Sequence, residues 1–213
     1  AVGAVIENAT GGSGNDSIIG NEACARSTPD GYTLCTSDGG GYSLNPVIRA
    51  KMPYEPLRDL QPIILTGMLY SALIVHPSLP VKSVRELIAF SKARPGELSY
   101  SSGGTGASNH LAAELFKSMA GLRILRVPYK GPASALNGMI VGETQLMFPN
   151  AAAATPHLDS GRLRALAVSS AQPSALAPGL PTIAASALNA FNLSGIVAET
   201  SCSRAPWKLP NSV

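Results

Sequence analysis

Between Glu97 and Gly131 the chain reads as strand, glycine loop, helix, strand and a second helix start. A strand at Glu97 to Tyr100 breaks into Ser101-Ser102-Gly103-Gly104-Thr105-Gly106, and a helix begins near Ser108. Leu111, Leu115 and Met119 recur four apart in that helix, with Ala112 and Phe116 beside them, and Gly121 suits its end. A second strand, Leu122 to Tyr129, runs into Lys130-Gly131-Pro132, where proline fits a first helical turn. Two helix N-termini are thereby placed at the carboxyl ends of two neighbouring strands. The free N–H groups and positive dipole end of a helix N-terminus suit an anion. In open α/β sheets, ligands bind in the crevice outside the strand carboxyl ends.

The rest of the chain supports an α/β architecture. Asp16 or Ser17 can cap a helix that stops before the turn Pro29-Asp30-Gly31. Tyr32 to Ser37 is a β-type run leading into Asp38-Gly39-Gly40-Gly41, a second candidate ligand loop. Ile63 to Leu69 and Ala72 to His76 are strand-like. Ser83-Val84-Arg85-Glu86 is a capping box opening a helix with Val84, Leu87, Ile88 and Ser91 inward. Gln145 to Phe148 and Leu163 to Ser169 read as strands, Thr155-Pro156 as the opening of a short helix, and Phe191 to Ala198 as a further strand. After Glu199 the pattern dissolves. Strands alternating with helices predict largely parallel sheets.

Composition excludes several function classes. Apolar residues make up 45% of 213 and charged residues 14%, which fits a globular chain. A net charge of +3 and 5% aromatics give no footing for nucleic acid. No apolar run approaches the roughly 20 residues that cross a bilayer, and AVGAVIEN at the start has no basic region of a signal peptide.

The loop at Ser101 to Ser108 is neither a P-loop nor GxGxxG, so a tight glycine turn without ligand is its plain alternative. A hydrolase using Ser108 and His110 needs a third group and an oxyanion site; GxSxG is absent, because Gly106-Ala107-Ser108-Asn109-His110 lacks the second glycine. His76, His110 and His157 share no metal-ligand spacing, and neither do Cys24, Cys35 and Cys202. No metal, cofactor or catalytic residue is expected. Cys24 and Cys35 read as buried small apolar residues. Tyr129-Lys130-Gly131 is either an anion contact through hydroxyl and backbone N–H or a strand end with a solvated lysine.

Taken together, VPYKGPASALNGMIVGETQLMFPN from Val127, PHLDSGRLRALAVSS from Pro156, PGLPTIAAS from Pro178, PDGYTL from Pro29 and the long run from His76 to Gly121 resemble the Bug/TctC family. These are extracytoplasmic solute receptors of tripartite tricarboxylate transporters, and the likeness covers about residues 3 to 198. It implies a type II periplasmic-binding-protein fold, with two α/β lobes and hinge strands. On this basis residues 1–98 are a first lobe with a return strand at about 191–198, 99–190 a second lobe, and 199–213 a divergent tail. A small organic acid is expected between the lobes, with transporter membrane components as partners and a periplasmic location.

Carried over by position, Ser102, Gly103, Thr105, Gly106 and Ser108 would be second-lobe contacts, joined by Lys130, Gly131 and Ser134. Ser37, Gly39 and Gly40 would serve from the first lobe, and Asn150 from a ligand-facing strand end. The family usually has a strand, a glycine-rich carboxylate loop and a helix before the segment that begins here at Gly3, and it continues past the position of Pro206. The first lobe is therefore expected to be incomplete, as in a truncated chain, and a non-binding remnant is the alternative. Acidic residues common in the family are replaced here by Gln145 and Pro149.

Overall fold

The computed structural model describes residues 16–38, 42, 45–68, 70–174, 177–193 and 198–204. The readings made for Gly39, Gly40 and Gly41 lie outside the described residues. The chain divides into two compact units, 1–68 with 196–213, and 69–195. The expected division at 98/99 is thus displaced by some thirty residues. The reason lies in strand pairing: the strand at Ala72–Val75 pairs with Leu146–Met147 on one side and Arg164–Val168 on the other, inside the second unit.

In the first unit α1 (Asp16–Arg26) precedes β1 (Leu34–Asp38), followed by α2 (Asn45–Ile48), α3 (Pro56–Asp59) and β2 (Leu60–Met68). The sheet is completed by β8 (Ala198–Arg204), which lies between β1 and β2 and runs antiparallel to both. This corrects two expectations. The three-stranded sheet is antiparallel throughout, and the return strand falls in the segment read as a patternless tail. The run AETSCSR hides it, since a strand whose only apolar residues are the small Ala198 and Cys202 shows no period-2 alternation. Two register shifts and Pro62 interrupt β2, an outer strand that exposes Ile63, Ile64 and Leu65. Bulges and proline on an outer strand work against pairing with another chain.

Three sulfurs meet in the core of this unit. Cys24 of α1 and Cys35 of β1 form a disulfide, and the two are buried as expected but bonded to each other. Cys202 stands opposite Cys35 in the β1–β8 register, with the two sulfurs 3.2 Å apart. Burial pushes the Cys202 thiol up to about 11, so it stays protonated and unreactive at neutral pH.

In the second unit the sheet order is β5-β4-β6-β3-β7. The strands are β3 (Ala72–Val75), β4 (Ser99–Ser102), β5 (Leu125–Pro128), β6 (Leu146–Met147) and β7 (Arg164–Val168). β4 is parallel to β5 and β6, while β3 is antiparallel to β6 and β7. The helices are α4 (Val84–Ala93), α5 (Ser108–Ala120), α6 (Pro132–Ile140), α7 (Ala151–Asp159) and α8 (Ile183–Ser186). Ser83 caps α4 as predicted, its hydroxyl accepting the Glu86 amide at 3.2 Å. The reciprocal bond reaches one residue further back, from the Lys82 amide to Glu86.

Two apolar layers cover the sheet. On one face, Ala135, Leu136 and Met139 of α6 and Ala154 of α7 pack on Ala72, Ile74 and Met147. Strand alternation puts Tyr100 on the other face, where its hydroxyl reaches Glu114 of α5 at 2.5 Å. The stripe that α5 buries is Ala112, Phe116 and Ala120, one residue on from the expected Leu111, Leu115 and Met119; Met119 is 38% exposed.

Phe116, Phe148 and Phe191 form an aromatic trio with ring centroids 5.7, 6.4 and 6.3 Å apart. Phe191 therefore belongs to the core of the second unit, not to a strand returning to the first. Phe191 and Leu193 are buried without strand pairing. Aromatic pairs at such separations add to the area that each ring buries. Phe191→Ala should cost about 3–5 kcal/mol of second-unit stability, read as a lower urea midpoint; an unchanged midpoint would place Phe191 outside this core.

Candidate ligand-binding site

The site is built on the carboxyl edge of three parallel strands. From β4 the chain leaves through α5 toward β5, and from its neighbour β6 it leaves through α7 toward β7, on the opposite side. Adjacent strands whose connections diverge leave a crevice at their carboxyl ends. Ser102 ends β4, and its carbonyl accepts the Tyr129 amide at 2.8 Å, which holds the end of β5 against it.

The loop after Ser102 turns on two glycines with distinct jobs. A Cβ on Gly103 would lie 3.5 Å from the Pro132 nitrogen and 3.6 Å from the Gly131 carbonyl carbon. The loop before α5 and the start of α6 thus lie side by side, about one side-chain atom apart. Gly106 has φ +86°, a conformation that side chains rarely adopt.

Hydrogen bonds decide which donors remain for a ligand. The Gly103 amide donates to Asn109 Oδ1 at 3.2 Å, Gly106 to His110 Nδ1 at 3.3 Å, and Ala107 to the Gly104 carbonyl at 3.1 Å. These loop amides are engaged within their own segment. The amides of Ser108, Asn109 and His110, in the first turn of α5, have no intrahelical acceptor. At α6 the Gly131 amide donates to Ser134 Oγ at 3.1 Å, and that hydroxyl donates back to the Gly131 carbonyl at 2.9 Å. Pro132 has no N–H, so Ala133 and Ser134 supply the open amides there.

The expected site residues separate accordingly. Ser102, Gly103, Thr105, Gly106 and Ser108 are brought together with Gly131 and Ser134 at one edge. Ser102 and Gly131 are buried, whereas Thr105, Lys130 and Ser134 are exposed. Asn150 lies at the same edge beyond β6 and caps α7, its Oδ1 accepting the Ala152 amide at 3.0 Å. Ser37 belongs to the first unit, is 1% exposed, and accepts from Asn21 Nδ2 at 2.8 Å. The Tyr129 hydroxyl points away from the loop, donating to Glu143 at 2.5 Å with its ring against Gly138. That geometry removes it as an anion contact. Gln145 accepts from the Ser99 amide and hydroxyl, at the opposite end of β4.

Arg126 of β5 was not singled out from sequence. Its Nε donates to Ser102 Oγ at 2.8 Å, one terminal nitrogen to Thr105 Oγ1 at 3.2 Å, and the other to the Gly103 carbonyl at 3.2 Å. The alternation Leu125-Arg126-Val127 put Arg126 on the face of Tyr100, and that register was the available signal. Nearby, burial and then the Arg126 charge hold His110 below its ordinary value. Burial opposes ionisation of Glu114, but hydrogen bonds from Lys117 and Tyr100 outweigh it and keep the carboxyl below its usual range. His110 thus stays neutral and accepts from Gly106, which is no arrangement for activating Ser108. Among the described residues no group of three acidic, histidine or cysteine side chains could hold a metal.

Residues 1–209 match the model of the "Tripartite tricarboxylate transporter family receptor". The chain belongs to this family. The match includes most of the tail that was read as divergent. Protein BugT of Bordetella pertussis is 38% identical over 185 residues, covering 84% of this chain and 55% of the relative. The chain spans little more than half the length of that relative. Among solved structures, "R. palustris Rpa4515 with adipate" has a TM-score of 0.79 at 34% identity, over 92% of this chain and 64% of that one. The periplasmic binding protein BugD has 0.77 at 29%, over 94% and 65%. The fold is therefore the mixed α/β fold of this family's periplasmic binding proteins, and the family is one of transporter receptors, not enzymes.

Two outcomes test the electrostatics described above. The Glu143 carboxylate, and to a smaller degree burial, pushes the Tyr129 phenol up to about 12. A raised folded value stabilises the fold below the unfolded value of about 10 and is lost as pH rises through about 12. Glu143→Gln should bring the phenol back toward 10, read by ultraviolet titration against the parent; an unmoved titration would refute the bond. Arg126→Gln should raise the His110 pKa, read from its ring protons by NMR, because one of the charges opposing its protonation is gone.

Proposed function

We propose that this protein is an extracytoplasmic receptor that captures a small carboxylate between two lobes for a tripartite tricarboxylate transporter. The observation that carries the reading is the proximity of Gly103 to the start of α6, where Pro132 and Gly131 backbone atoms lie 3.5 and 3.6 Å from the place of a Gly103 Cβ. It sets the first turns of α5 and α6 at one strand edge, so that two sets of open amides and two positive dipole ends serve one anion. The donors on this side are the amides of Ser108, Asn109, His110, Ala133 and Ser134, with the Thr105 hydroxyl in front. Lys130 and Asn150 flank them. The adipate named with the Rpa4515 structure supports a dicarboxylate as the ligand class. BugD's description as a periplasmic binding protein supports a periplasmic address, with the transporter's membrane components as partners. Among the described residues no helix is long and apolar enough to cross a membrane.

Thermal melting of the purified chain with adipate, malate, citrate, benzoate and glutamate tests the proposal. A ligand at 100 times its dissociation constant stabilises by about 2.7 kcal/mol, a shift of a few degrees in a chain of this size. A saturable rise with at least one acid is the expected result. A cooperative melt that no acid moves would overturn the reading.

A further inference from the structure

We propose that Arg126 is a positioning residue that makes the site selective for ionised ligands, by orienting and polarising the Thr105 hydroxyl; this rests on the carboxylate reading above. Arg126 holds three oxygens, Ser102 Oγ, Thr105 Oγ1 and the Gly103 carbonyl, and all three are neutral. The ion pairs among the described residues join Arg26, Arg58, Arg94 and Lys117 to acids, and Arg126 takes part in none of them. A guanidinium is a cation, so Arg126 brings to the loop a positive charge that no ion pair among the described residues neutralises.

The three bonds also settle where protons point. A hydroxyl oxygen that accepts from a guanidinium must direct its own proton elsewhere. The Ser102 proton has a receiver in the Gly103 carbonyl, 3.3 Å away. Thr105 is exposed, and its proton, turned off Arg126, is left for a group other than the guanidinium. A hydroxyl already accepting a charge-assisted bond is a stronger donor, because bonds in a chain polarise one another. An anionic oxygen in front of the loop therefore meets a directed donor backed by a full positive charge, beside the first-turn amides of α5. A neutral ligand gains the geometry and little of the charge. The lowered pKa of His110, to which the Arg126 charge contributes, agrees with this potential.

The test is calorimetric titration of adipate and of its neutral diamide into the full chain, with Arg126→Gln, Thr105→Val and the double variant. Each single change should weaken adipate binding by about ten-fold or more, the range of a charge-assisted bond. The double variant should bind within about two-fold of the weaker single variant, because both changes interrupt one relay. The parent should prefer adipate to the diamide, and Arg126→Gln should lose most of that preference. A residue that merely braces the loop would weaken both ligands alike. Thr105→Ser returns the hydroxyl and should restore binding even if Arg126→Gln fails to fold. Losses that multiply, an Arg126→Gln affinity within about two-fold of the parent, or a Thr105→Ser variant as weak as Thr105→Val would each overturn the inference. A parent that binds neither adipate nor any acid of the melting panel would instead sink the carboxylate reading itself, and this inference with it.

Discussion

The second unit depends on one close approach. Gly103 lies beside the backbone of Gly131 and Pro132, whose atoms stand 3.6 and 3.5 Å from the place of a Cβ, an ordinary packing distance. Because of it, two crossover helices on opposite faces of one sheet begin at the same point of its edge. The parallel ladder from Ser99–Leu125 to Ser102–Pro128 delivers both chain segments there in register. The layers beneath, Ile74 and Met147 on one face and the phenylalanine trio on the other, hold the ladder in place. A recognition surface made of backbone amides needs such a frame, since an amide cannot choose another rotamer when the ligand arrives.

Much of this was legible in the sequence, and the reasons are local. Proline at the start of α6, glycine at the end of α5 and serine before α4 act through the few residues around them, so they can be recognised without the fold. What stayed hidden depends on partners distant in the chain. Phe191 looks like part of a strand until Phe116 and Phe148 are seen to surround it. β8 has almost no apolar alternation, and it shows as a strand only through its neighbours on both edges. α7 begins four residues before Thr155, within an alanine run that carries no amphipathic pattern; Asn150 caps it and Pro156 lies inside it. The unit boundary follows from the partners of β3, which no composition shift marks.

For the site, residue types were legible and their engagements were not. The glycine loop gives the impression of a cradle of free N–H groups, yet Gly103, Gly106 and Ala107 all donate within their own segment. Tyr129 carries a hydroxyl next to the loop in sequence and turns it toward Glu143. Arg126 sits in a strand of ordinary appearance and organises three loop oxygens. Polar groups in a fold are matched to partners wherever partners exist, so a list of polar residues overstates what is left for a ligand. The remainder among the described residues is narrow: first-turn amides, the Thr105 hydroxyl, and the Arg126 and Lys130 cations outside any ion pair, all of which favour negative charge.

The sulfur cluster of the first unit bears on how the chain is made. Cys24 and Cys35 are 11 residues apart, whereas Cys202 arrives near the far end of the same chain. A chain that emerges from its N-terminus can close the short loop while Cys202 has yet to be synthesised. The observed pairing is thus the one with a short loop to close. Closing that short loop leaves Cys202 as the thiol sealed beneath the sheet.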